Sequence, residues 1–117
     1  MVFDRLPLAL RFGLYALASA ILLYMCLAPS EALPKSHLWD KAEHAIAWAV
    51  LAGVGLVLFP RQVGLVVVFA LLFGIAVEVL QGALPFGRDM DWKDWVADCV
   101  GVAGAVLVWA AIRRLRP

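Results

Sequence analysis

The sequence predicts an all-α integral membrane protein, one bundle of four spanning helices, and three observations carry that prediction. Of its 117 residues, 65% are hydrophobic and 16% are charged, against about 45–50% and about 25% in soluble globular domains. A soluble chain this short leaves too much of its surface in water to hide such an apolar content, so its surroundings must be lipid. The apolar residues gather into four runs, 12–28, 40–59, 63–84 and 92–112, each near the length of about 17–25 residues that spans a bilayer as a helix. Prolines, charges and turn residues separate the runs, and a single domain over 1–117 is expected.

The first run, from Phe12, follows Arg5 and Arg11 and is stopped by Pro29. A secretory signal competes with this reading, since Ser30-Glu31-Ala32 resembles a cleavage region. The run exceeds the usual apolar length of about 7–15 residues, however, and a retained helix is expected. Pro29 to Trp39 reads as a loop, with two prolines and mixed charge. The second run opens with Asp40-Lys41-Ala42-Glu43-His44. Asp40 suits an N-cap there, and Asp40, His44 and Trp48 recur every fourth residue on one helix face.

Pro60-Arg61-Gln62 is a tight connection that makes the next helix an antiparallel neighbour. The third run is apolar as far as Gly74, after which Gly74, Glu78 and Gln81 share one stripe until Pro85-Phe86-Gly87 ends it. In the fourth, Asp91, Asp94, Asp98, Gly101 and Ala105 lie on one face, a polar head passing into a small-residue seam suited to close helix packing. Trp39, Trp48, Trp92 and Trp95 read as anchors at the membrane interface.

The net charge of +1 excludes little, but its distribution matters. Arg5, Arg11, Arg61, Arg113, Arg114 and Arg116 fall at one end of a four-span chain, and Lys35, Lys41, Arg88 and Lys93 fall at the other among nearly all the acids. The positive-inside rule then puts both termini in the cytoplasm of a multi-pass protein of the bacterial cytoplasmic membrane. Cys26 and Cys99 have no metal-ligand spacing and read as apolar thiols, with their pairing left open.

Every unusual polar residue converges on the outward end: Asp40, Lys41 and His44, then Glu78 and Gln81, then Arg88, Asp94 and Asp98. An ionised carboxylate deep in a bilayer costs about 2.5–3.5 kcal/mol, so a span keeps one where it meets a partner, a cavity or water. An interhelical hydrogen bond returns about 0.6 kcal/mol on average, which does not justify Glu78 on stability alone. Glu78 is therefore the leading candidate for function.

In this order and on these helices, Asp-Lys-x-x-His at the head of the second span, Glu-x-x-Gln near the end of the third, Gly-Arg in the turn, and Asp94 with a Gly-x-x-Gly ladder in the fourth resemble the VanZ-like family. That family is named for a protein associated with low-level resistance to teicoplanin. The resemblance covers about residues 35–105 and rests on Asp40, Lys41, His44, Glu78, Gln81, Arg88, Asp94, Asp98, Gly101 and Gly104. It implies a small helical membrane architecture and a role in the cell envelope, with no agreed mechanism. At Asp98 the family commonly has Asn, so a further carboxylate stands here and a role that needs a neutral amide is in doubt.

Two functional classes follow. In the first, Asp40, Lys41, Gln81, Arg88 and Asp94 line a recognition pocket for an anionic lipid or a lipid-linked cell-wall precursor in the outer leaflet. In the second, Glu78, His44 and Asp98 do acid/base chemistry as a hydrolase or transferase on lipid phosphate or ester groups. Recognition is the expected class. No nucleophile motif or phosphate-cradling glycine loop is present, and one histidine with scattered carboxylates makes a poor metal signature, so no metal or cofactor is expected. A transport pathway would need polar groups through the other half of the bundle, which the sequence lacks. No nucleic-acid partner is expected, and a membrane-protein partner or a second copy of the chain is left open.

Overall fold

The computed structural model describes residues 3–28, 40–85 and 90–115. After a short 3-10 turn, Phe3–Arg5, the chain forms α1 (Leu8–Leu27), α2 (Asp40–Leu58), α3 (Val63–Ala83) and α4 (Trp92–Leu115). No strand occurs among the described residues. At about 1.5 Å per residue the helices extend about 28–36 Å, which matches the hydrocarbon thickness of a bilayer, and all four are long and apolar enough to cross one. The all-α, four-helix membrane architecture is therefore the one expected. The expected loop at 29–39, the turn at 86–89 with Arg88, and the Asp40 side chain lie outside the described residues.

Two boundaries differ from the apolar runs. α1 begins at Leu8 because Pro7, which has no N–H to leave unpaired, precedes its first turn. α4 continues past Ile112 to Leu115, since Arg113 and Arg114 suit the negative end of a helix dipole.

Packing does not follow chain order. α2 and α4 share the most extensive contact, ahead of α3 with α4 and α2 with α3. These two helices run in the same direction, and Gly101 lets their backbones meet. A Cβ built there would lie 2.0 Å from the Ala45 carbonyl oxygen and 2.9 Å from the Ala49 nitrogen. The core surrounds α2, with Trp48, Leu51, Ala52 and Leu56 buried against Val66, Ala70 and Val77 of α3 and Val102 and Trp109 of α4. α1 is more peripheral and buries Tyr15, Ser19 and Cys26. Leu17, Ile21, Leu72, Val79, Leu107 and Val108 point outward, where acyl chains cover them. Because lipid solvates such side chains as well as a protein core does, shape and interhelical hydrogen bonds must hold the helices together.

The two ends of the bundle differ. At one, Arg11 Nη1 donates to the Leu58 carbonyl at 3.1 Å and Arg113 Nη1 to the Pro60 carbonyl at 3.4 Å. The start of α1 and the end of α4 are thus pinned to carbonyls where α2 finishes, with the Arg11 guanidinium also 5.4 Å from the centroid of the Phe59 ring. The opposite end gathers the acids.

Candidate functional site

At that acidic end the first turns of α2 and α4 meet the last turns of α3. Lys41 in α2 sends its Nζ to Asp91 Oδ2 at 2.7 Å and also to Asp94 Oδ1. One turn deeper, His44 Nδ1 lies 2.9 Å from Asp98 Oδ1, and His44 Nε2 lies 3.6 Å from Asp94 Oδ2. The imidazole therefore stands between two carboxylates, Asp98 at Nδ1 and Asp94 at Nε2. Asp98 is completely buried, and its other oxygen, Oδ2, accepts no hydrogen bond among the described residues.

Glu78 enters from α3. Its Oε2 accepts the Asp91 backbone N–H at 3.0 Å, while Asp91 caps α4 by accepting the Lys93 N–H at 3.0 Å on its own Oδ1. A Glu three residues into a helix commonly reaches back to the N-cap N–H. Here the corresponding residue, Asp94, is engaged by Lys41, and Glu78 of the neighbouring helix takes that part. Glu78 is only 4% exposed, and its Oε1 is buried without a hydrogen-bond partner among the described residues. Asp91 lies outside the spans, and its hydrogen bond from Lys41, followed by the one from the Lys93 N–H, holds its carboxyl below the usual carboxylate range.

Two tryptophans wall the site. Trp48 stacks on His44 with centroids 5.8 Å apart and donates its Nε1–H to the Ala70 carbonyl at 2.9 Å, and Trp95 Nε1 donates to the Leu71 carbonyl at 2.9 Å. Both indoles and Asp98 close over Gly74. A Cβ there would lie 2.9 Å from Trp95 Cδ1 and 3.0 Å from Asp98 Oδ2. The expectation that Trp48 anchors the interface is corrected, because it is wholly buried and spends its N–H between helices. Trp95 makes the same kind of bond, while Trp92 is exposed as an interface anchor should be.

Of the residues singled out by sequence, the structure brings Lys41, His44, Glu78, Asp94 and Asp98 together. Gln81 stands apart: its Nε2 donates to the Cys26 carbonyl at 2.8 Å and ties α1 to α3. Glu78 takes its hydrogen bond from the Asp91 N–H. Cys26 and Cys99 form no disulfide. Sequence reasoning placed Asp91 on the right helix face but missed its double engagement with Lys41 and Glu78. The signal available was Asp91-Trp92-Lys93-Asp94, an N-cap pattern at the head of a helix.

One ligand atom from each of His44, Glu78 and Asp94 lies within 4.8 Å of the other two, so this trio could hold a metal ion. Four carboxylates, on Glu78, Asp91, Asp94 and Asp98, face Lys41 and His44 in this network. Farther down, an apolar cavity of about 540 Å³ lies between α1 and α3, lined by residues that include Tyr15, Leu23, Phe69 and Phe73. Comparison of the chain with protein-family models, with curated proteins and with solved structures gives no match.

Proposed function

We propose that this chain is a VanZ-like membrane protein of the bacterial envelope whose polar pocket recognises the headgroup of an anionic lipid or lipid-linked cell-wall precursor. Its pocket then faces the outer leaflet, with both termini cytoplasmic, in keeping with the arginine asymmetry. The observation that carries the reading is a buried polar cluster at one end of an apolar bundle in which Glu78 Oε1 and Asp98 Oδ2 are acceptors without donors among the described residues. A buried acceptor left unmatched costs about 1–3 kcal/mol, and more when charged, so a ligand that brings hydroxyl or ammonium donors gains by supplying them.

The phosphate falls to Lys41 at the rim. Lys41 is 20% exposed and its partner Asp91 is 40% exposed, and an ion pair that open to water contributes little. A phosphate can therefore take over that hydrogen bond at little cost, with Arg88 as a second, planar donor. Phosphate toward Lys41 and hydroxyl or ammonium toward the carboxylates describe a phospholipid or glycolipid headgroup.

A second reading draws on one observation, the hydrogen bond between His44 Nδ1 and the buried Asp98. That pair orients an imidazole as acid/base enzymes do, with Glu78 close by. Binding of a lipid-linked phosphate to Glu78→Gln and Arg88→Ala separates the two. Recognition predicts that Arg88→Ala abolishes binding, that Glu78→Gln retains much of it, and that wild type turns over no lipid phosphate or ester. Turnover by wild type that falls about 100-fold or more in Glu78→Gln, with binding intact, would overturn recognition in favour of catalysis.

A further inference from the structure

We propose that the cavity between α1 and α3 binds an isoprenoid quinone, an uncharged planar ring with two carbonyls and an apolar tail. Its volume of about 540 Å³ falls within the range of about 300–1,000 Å³ usual for small-molecule sites, which are mostly apolar with a few placed polar groups. The cavity lies toward the arginine end of the bundle, with Phe59 and Gln62 among its lining residues. It is thus separate from the acidic cluster and does not depend on the recognition reading.

Five aromatic rings make one continuous wall. Phe12 packs against Phe59 with centroids 5.0 Å apart, Phe59 against Tyr15 at 6.1 Å, Tyr15 against Phe69 at 5.4 Å, and Phe69 against Phe73 at 5.5 Å. All five line the cavity. Phe12 and Phe69 are 58% and 40% exposed, so their faces are open to a flat ring in the same offset or edge-on geometries that aromatic pairs prefer. The small, exposed side chains of Ala16 and Ala20 leave room for that ring to enter from the bilayer and for its tail to trail back into it.

The polar groups of the lining select a carbonyl. Tyr15 and Ser19 are each 9% exposed, and their hydroxyls are enclosed without hydrogen-bond partners among the described residues. Tyr15 Oη fills the notch that Gly55 leaves, 2.8 Å from where a Cβ would stand. A ring carbonyl brings an acceptor to this floor, which Ser19 meets by turning about its single side-chain torsion. At the mouth the exposed Gln62 amide supplies another donor. Among the described residues no lining side chain is charged, so a phosphate or carboxylate finds no counter-ion there. An acyl chain fills an apolar slot but offers the hydroxyls no acceptor. A second copy of the chain in the same orientation would set its own arginine end beside this one, like charge against like.

The test is binding of tritiated decylubiquinone to the immobilised full chain in detergent, read by scintillation proximity. One saturable site per chain is expected, displaced by unlabelled quinone and about 30-fold less readily by decylbenzene, which has a ring and the tail but lacks the two carbonyl hydrogen bonds. Ala16→Trp and Ala20→Trp should fill the cavity and abolish binding, whereas Leu107→Trp, on the 70% exposed position of α4, should bind as wild type does. Should neither cavity-filling variant fold, Gln62→Leu at the exposed mouth decides, with binding weakened about 2- to 12-fold. Absence of saturable binding, equal displacement by decylbenzene, undiminished binding in a folded cavity-filling variant, or undiminished binding in Gln62→Leu where that variant decides, would overturn the site. These substitutions leave Lys41 and Arg88 in place, so headgroup binding at the acidic end can fail or persist without changing the outcome.

Discussion

Lys41 shows how unequal two contacts of one side chain are. Asp91 is 40% exposed on its side chain and Asp94 8%, so water can replace Lys41 at the first and hardly at the second. Lys41→Met should therefore cost about 1.5–3 kcal/mol, the range for hydrogen bonds to charged groups. Asp91→Asn should cost clearly less, as exposed pairs do. Unfolding in mixed detergent micelles, followed by circular dichroism, measures both, and equal losses would show that Asp94 is better solvated than its burial indicates. Trp48 allows a finer test. Trp48→Phe keeps a ring beside His44 but removes the donor to Ala70 O, and about 0.6 kcal/mol of destabilisation is expected by the same assay. Asp98, where the resemblance leads one to look for Asn, uses an oxygen acceptor toward His44, which an Asn carbonyl also supplies.

Helix pairs are where sequence and structure diverge most instructively. The spans were legible because apolar runs of spanning length cannot be anything else in a chain this hydrophobic. Their ends were less so, since a reading by apolarity stops at Arg113 while the helix, stabilised by that charge, does not. The convergence of His44, Glu78, Asp94 and Asp98 was legible from helical phase. The N–H donations of Trp48 and Trp95 were not, because their acceptors are backbone carbonyls that leave no mark in the sequence. Glycine spacing was only half informative. Gly101 and Gly104 look alike as a ladder, yet a Cβ on Gly101 strikes the Ala45 backbone and one on Gly104 meets nothing within 4 Å. Gly101→Ala should thus force α2 and α4 apart at a cost of about 1–3 kcal/mol or more. Gly104→Ala should be neutral or stabilise by up to about 1 kcal/mol through helix propensity. Similar effects at the two positions, measured by denaturant titration in detergent, would contradict the close α2–α4 contact.

Among the described residues Arg11 and Arg113 are bonded at one end of the bundle while Glu78, Asp91, Asp94 and Asp98 gather at the other. Under the proposed orientation, Ser36→Cys should react with an impermeant thiol reagent in intact cells and Gln62→Cys only after lysis, in a background lacking Cys26 and Cys99. Labelling of both from the same side would sink the topology. The central claim concerns what the acidic end holds, and lipid-resolved native mass spectrometry of the full chain extracted from its membrane tests it most directly. Wild type should carry a phosphate-bearing lipid or lipid-linked precursor enriched over its bulk abundance, and the Lys41→Met and Arg88→Ala variants should lose that enrichment while staying folded. Lipids retained in bulk proportion, or an enrichment that both variants preserve, would contradict it.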